Sequence, residues 1–183
     1  RWSLHELETF IAPMVRIGNS VIHTRRRRGS AGVSVSASRI DTGAVIWRTD
    51  VAVPSVILEY DAERGQIVAV TSLGNVFRVS PKAGLVDRPN EIVEVDGAEV
   101  AYTFTDAKPL ADGRIALSNQ RDRAQILLFD PRQETNSVRT IRMDIGDAKA
   151  NVAPTALGNA IILPLDSGQV FAFSPDTGKV LTL

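Results

Sequence analysis

Ala156-Leu157-Gly158-Asn159-Ala160-Ile161-Ile162-Leu163-Pro164-Leu165-Asp166-Ser167-Gly168-Gln169-Val170-Phe171-Ala172-Phe173-Ser174-Pro175-Asp176-Thr177-Gly178-Lys179 reads as strand, turn, strand, turn, strand. The apolar runs are short, rich in β-branched and aromatic residues, and bounded by Gly, Asn, Asp and Pro, the punctuation of strands rather than helices. The same order recurs. Ile67-Val68-Ala69-Val70, Leu73-Gly74-Asn75 and Val76-Phe77-Arg78-Val79-Ser80-Pro81 form a second copy, ending at Ala83-Gly84. Asp112–Leu117 followed by Ile126–Pro131 is a third, and Ile17–His23 followed by Val33–Ser38 a fourth. No stripe of helical period exceeds three turns; Leu4 to Ile11 comes nearest and Pro13 ends it. The chain is therefore expected to be all-β. A four-stranded antiparallel unit repeated every 40 to 50 residues is the pattern of a β-propeller blade, because a lone meander cannot cover its own faces and stacking in a ring covers them.

Composition agrees with a globular chain and excludes several classes. The 183 residues are 44% hydrophobic and 23% charged, enough apolar material for a core. Twenty-one basic and 21 acidic side chains cancel, which argues against a protein that coats nucleic acid or an acidic membrane. No apolar run of about 18 residues exists to span a bilayer as a helix. Cysteine is absent, so disulfides, thiolate zinc sites and thiol catalysis are excluded together.

Ala37-Ser38-Arg39-Ile40-Asp41-Thr42-Gly43-Ala44-Val45-Ile46-Trp47 resembles the tryptophan-docking motif of the pyrroloquinoline-quinone (PQQ) repeat propellers, Ala-x-Asp-x-x-Thr-Gly-Lys-x-x-Trp. Ala37, Thr42, Gly43 and Trp47 match, with Arg39 in place of Asp and Ala44 in place of Lys. The last copy matches at Ala172, Thr177, Gly178 and Lys179, but has Ser174 and Thr182 where Asp and Trp are expected. Gly84 survives in one remaining copy and Asp130 in the other. Thr-Gly supplies a tight turn, and a buried Trp offers roughly 150 to 250 Å² of contact. Trp2, in Arg1-Trp2-Ser3, parallels Trp47-Arg48-Thr49, so the docking positions fall at Trp2, Trp47, Arg88, Val138 and Thr182. The resulting expectation is four PQQ-like blades, at about 2–46, 47–87, 88–137 and 138–183. They would be part of a seven- or eight-bladed ring, or half of a ring completed by a second copy; a closed four-bladed propeller is the other arrangement. The resemblance alone points to a periplasmic or otherwise extracytoplasmic setting.

Each candidate for chemistry has a plainer reading beside it. Asp41-Thr42-Gly43 and Asp176-Thr177-Gly178 spell the aspartic-protease triplet, yet both lie at one phase of the repeat and read as turns. Arg25-Arg26-Arg27-Arg28, followed by Gly29-Ser30-Ala31-Gly32, is expected to be a solvated basic loop and is the best candidate for electrostatic recognition of a partner, through a phosphate or an acidic group. His5 and His23 are too isolated for a metal site, and His5-Glu6-Leu7-Glu8-Thr9 fails the His-Glu-x-x-His pattern at its last position. No Gly-x-Ser-x-Gly elbow, phosphate loop or calcium loop is present. PQQ dehydrogenases stack their quinone between a Trp and adjacent cysteines beside calcium; here there is no Cys and both Trp sit at docking positions. No catalytic, cofactor or metal residue is therefore assigned. The expectation is a non-catalytic module that binds a protein or peptide, with neither nucleic acid nor a membrane span. The alternative is part of a quinoprotein dehydrogenase whose PQQ and calcium ligands lie in other blades.

Overall fold

A computed structural model describes residues 8–11, 13–29, 32–85 and 103–181. Every regular element among them is a strand, and every strand pairing is antiparallel. The expectation of an all-β chain holds. The chain divides into two compact units, Arg1–Ile92 and Val93–Leu183.

The N-terminal unit holds two sheets. The first contains β1 (Glu8–Phe10), β2 (Val15–Ile17), β3 (Ser20–Arg27), β4 (Val33–Arg39) and β5 (Val45–Val51). Its order is β1-β3-β4-β5, with β2 on the same edge of β3 as β1. Pro13 sits in the break between β1 and β2, where the lack of an N–H costs no ladder bond. The second sheet is the meander β6 (Ser55–Asp61), β7 (Gln66–Thr71) and β8 (Val76–Val79). Trp47, at the expected phase of the repeat, lies in β5, which is hydrogen-bonded to β4 as the outer strand of the first sheet.

The alternation of side chains along each strand decides what packs. Ile22, Val35, Ala37 and Trp47 project from one face of the first sheet and meet Leu58, Ile67, Ala69 and Val79 of the second. The opposite face of the first sheet is polar: β3 contributes His23 and Arg25, and β4 contributes Ser34, Ser36 and Ser38, all buried.

The C-terminal unit repeats the scheme. Its first sheet runs β9 (Phe104–Pro109), β10 (Ile115–Asn119), β11 (Gln125–Phe129), β12 (Val138–Arg142). The next is β13 (Thr155–Leu157), β14 (Ala160–Pro164), β15 (Val170–Phe173), extended by a bridge from Phe173 to Val180. Ala116, Ile126 and Leu128 pack against Ile161, Leu163 and Phe173, with Met143 and Leu165 closing the cluster. Each of the Ile, Leu, Met and Phe side chains among them contributes roughly 1.5–3 kcal/mol by leaving water.

Candidate functional site

The sequence motif resolves into one recurring turn. Backbone N–H of Arg39, Ser80 and Ser174 donates to the carbonyl five residues on, at Ala44, Leu85 and Lys179, with N···O distances of 2.9 Å in each. Gly43, Gly84 and Gly178 donate back to the first residue of the turn at 2.9, 2.9 and 2.8 Å. Thr42 Oγ1 and Thr177 Oγ1 accept from the N–H of Ala44 and Lys179, both at 3.3 Å. The two Asp-Thr-Gly triplets are therefore turns. In the remaining copy the turn is two residues longer, from Asp130 to Ser137, and Asn136 with φ 52° stands where the others have Gly.

These turns are where one sheet seats on the next. Trp47 Nε1 donates to the carbonyl of Pro81 at 2.8 Å, and Thr49 Oγ1 donates to that of Gly84. A Cβ on Gly84, which has φ 68°, would collide with the Trp47 ring. Ala37, the cross-strand partner of Trp47, is small enough to leave the ring room. In the C-terminal unit Gly178 meets the Arg142 carbonyl and the Ile141 side chain, and its own carbonyl accepts from Asp144 N–H at 2.8 Å. The contact expected at Val138 is thus made by Ile141 and Arg142. Ala172 lies two residues before its turn, as Ala37 does, on the sheet face away from Phe173. Trp2 and the docking positions Arg88 and Thr182 lie outside the described residues.

The arginine run is not a loop. Arg25, Arg26 and Arg27 are the last three residues of β3, and only Arg28 enters the turn. Pairing with both β1 and β4 explains this, since Glu8, Thr9 and Phe10 lie opposite Arg27, Arg26 and Arg25. Alternation sends Arg25 and Arg27 to the polar face and Arg26 to the other. Arg25 is buried and donates to Glu8 Oε2 at 2.6 Å; Arg48 donates to Glu8 Oε1 at 3.1 Å. Burial pushes the Glu8 carboxyl up, but the two guanidinium groups outweigh it and hold the carboxyl below its usual value. His23 Nε2 lies 3.0 Å from Ser38 Oγ, with the Phe10 ring edge-on at 5.0 Å. Burial first, then the Arg25 charge, lowers the His23 pKa to about 4.

Beside this cluster a cleft of about 490 Å³ opens, lined by Arg25, Arg27, Ser34, Arg48, Asp50 and the valines Val33 and Val51. A second cleft, about 440 Å³, lies in the C-terminal unit among Asp112, Arg114, Asp130, Arg132, Arg139 and Asp176. There the charges bind one another. Asp176 accepts from Arg114 at 2.6 Å and from Arg139 at 2.7 Å, and Arg114 also holds Asp112. Hydrogen bonds from the arginines keep Asp176 and Asp112 below the usual carboxylate range. Asp176 lies 62 and 37 residues from Arg114 and Arg139, so no local pattern announced those two pairs. For the first cluster, the alternating serines of Val33-Ser34-Val35-Ser36-Ala37-Ser38 were a readable sign of a polar face.

The quinone site implied by the family resemblance does not fit these residues. The Trp47 ring is spent on the Gly84 turn, no cysteine exists to stack opposite a quinone, and no group of three potential metal ligands occurs among the described residues.

No family model matches the chain, and no curated protein does. Solved structures do. A protein of unknown function from Bacteroides caccae aligns over 99% of this chain and 62% of its own, at 11% identity and TM-score 0.50. BamB from Moraxella catarrhalis aligns over 96% of this chain and 65% of its own, at 12% identity and TM-score 0.48. The C-terminal WD40 domain of Sif2 aligns over 90% and 42%, at 11% identity and TM-score 0.44. The chain thus spans less than two thirds of the length of each. At such identities the likeness is one of fold alone: antiparallel meanders stacked sheet against sheet, as in a section of a β-propeller.

Proposed function

We propose that the chain is a non-catalytic protein-binding or scaffolding module, and that its last sheet presents an apolar face to another β-sheet. One observation carries this reading. In the N-terminal unit the face bearing Ala37 is covered by the second sheet, and in the C-terminal unit the face bearing Leu128 is covered by β13–β15. The matching face of β13–β15, with Ala172 and Ile162, has no sheet of the C-terminal unit against it among the described residues. Leu157 and Val170 on that face are 71% and 61% exposed. Contiguous exposed apolar surface marks a place of association. The occupant is another blade-type sheet, supplied by further blades of a longer polypeptide or by a second copy.

Sedimentation velocity across a concentration series tests it. The chain should associate, and Leu157→Lys with Val170→Lys should abolish association while leaving the melting temperature unchanged. A wild-type chain that stays monomeric throughout and binds no apolar dye counts against the reading. The proposal assigns no quinone or metal to the chain, so PQQ with calcium should produce neither a thermal shift nor bound quinone absorbance.

A further inference from the structure

We propose that the cleft of the N-terminal unit is a carboxylate-binding site that takes an acidic peptide segment. The proposal is independent of the apolar face above. Three guanidinium groups converge there: Arg25 from the interior of β3, Arg27 from its end and Arg48 from β5. Arg27 is exposed and has no ion-pair partner among the described residues, whereas Arg25 and Arg48 share Glu8.

Beneath the cleft lie two buried polar atoms without a hydrogen-bond partner among the described residues. Ser34 is 1% exposed and Arg25 3% exposed, both line the cleft, and Ser34 Oγ and Arg25 Nε have no hydrogen-bond partner among the described residues. A buried donor without an acceptor is costly, and an oxygen-rich ligand relieves the cost. The identity of that ligand follows from what the site already holds. Arg25 and Arg48 already take one oxygen each of the Glu8 carboxylate, which shows the group this cluster favours and leaves Arg27 as the guanidinium open to a second carboxylate. Asp50, 3.6 Å from Arg48 and largely exposed, together with Glu8 leaves only one uncompensated positive charge among the five groups, too little to favour a phosphate dianion or a nucleic-acid backbone. Val33 and Val51 supply an apolar wall for the aliphatic part of a peptide side chain. Arg28 lies in the turn beyond the strand and is not part of the cleft.

The test uses a fluorescein-labelled hexaglutamate peptide and its hexaglutamine counterpart, with binding read by fluorescence anisotropy. Hexaglutamate should bind and hexaglutamine should not. Arg27→Glu should weaken binding at least tenfold, the scale of one charge-assisted hydrogen bond, while Arg28→Glu, which makes the same change in net charge, stays within about twofold. Both positions are exposed, and circular dichroism confirms that each variant is folded. Glutarate should displace the peptide more effectively than inorganic phosphate. The proposal is overturned by equal binding of the two peptides, by no binding of hexaglutamate, by equal losses for the two arginine variants, or by phosphate competing better than glutarate.

Discussion

Trp47 and Gly84 are one contact seen from two sides, and each explains why the other is needed. The ring lies where a Cβ on residue 84 would be, and the left-handed backbone there already disfavours any side chain. Gly84→Ala should therefore cost about 3 kcal/mol, combining backbone strain and overpacking. Gly158→Ala shares a positive φ of 59° but has open space around it, so it should cost only about 1 kcal/mol. Urea denaturation of the two variants separates these effects. Trp47→Phe removes the donor to Pro81 and should cost about 1 kcal/mol from that bond alone.

His23 makes the prediction that depends on pH. Its folded pKa of about 4 lies below the ordinary 6.5, so the unfolded chain binds a proton more readily than the folded one. Its contribution is fully present above pH 6.5 and is lost as pH falls toward 4, on the order of 3 kcal/mol over that window. Glu8 and Asp176, held below their usual values, add losses of the same sign at lower pH. Replacing His23 with Gln should flatten the dependence of melting temperature on pH between 6.5 and 4 and leave the steeper loss below it.

At the scale of elements, the turns carry more of the specification than the strands. Three copies reach the same geometry through Gly, and the longer one reaches it through Asn136, a residue that tolerates the left-handed region. Asn136→Gly should leave stability within about 0.5 kcal/mol, whereas Asn136→Ala should cost about 1 kcal/mol. Ion pairs then brace the elements. Asp176 follows β15 and receives Arg114 from just before β10 and Arg139 from within β12, tying one sheet of the C-terminal unit to the other. Asp176→Asn should cost about 1 kcal/mol, a modest figure because the carboxylate is half exposed. The two arginine clusters show why such braces escape a sequence reading. Strand alternation turns four consecutive arginines into a buried pair member at Arg25, an opposite-face residue at Arg26, a cleft wall at Arg27 and a turn residue at Arg28, and the following Gly29-Ser30-Ala31-Gly32 suggests a loop that begins only after β3 ends.

For the whole molecule, charge balance is the property that composition governs most directly. Twenty-one charges of each sign and a pI near 7.0 place the solubility minimum close to pH 7, measurable as the lowest precipitant threshold across a pH series. The balance is local as well as global: both clefts pair arginines with carboxylates, and only the N-terminal cleft keeps Arg27 open. The all-β class and the turns at Gly43, Gly84 and Gly178 were legible along the chain, because each depends on neighbours two to five residues away. The seating of Trp47 on Gly84, its replacement by Ile141 and Arg142 in the C-terminal unit, and the convergence of Glu8, Arg25 and Arg48 were decided by the tertiary structure. Those contacts join residues 17 to 40 positions apart or more, and no local spacing encodes which sheet face or turn a distant side chain will meet.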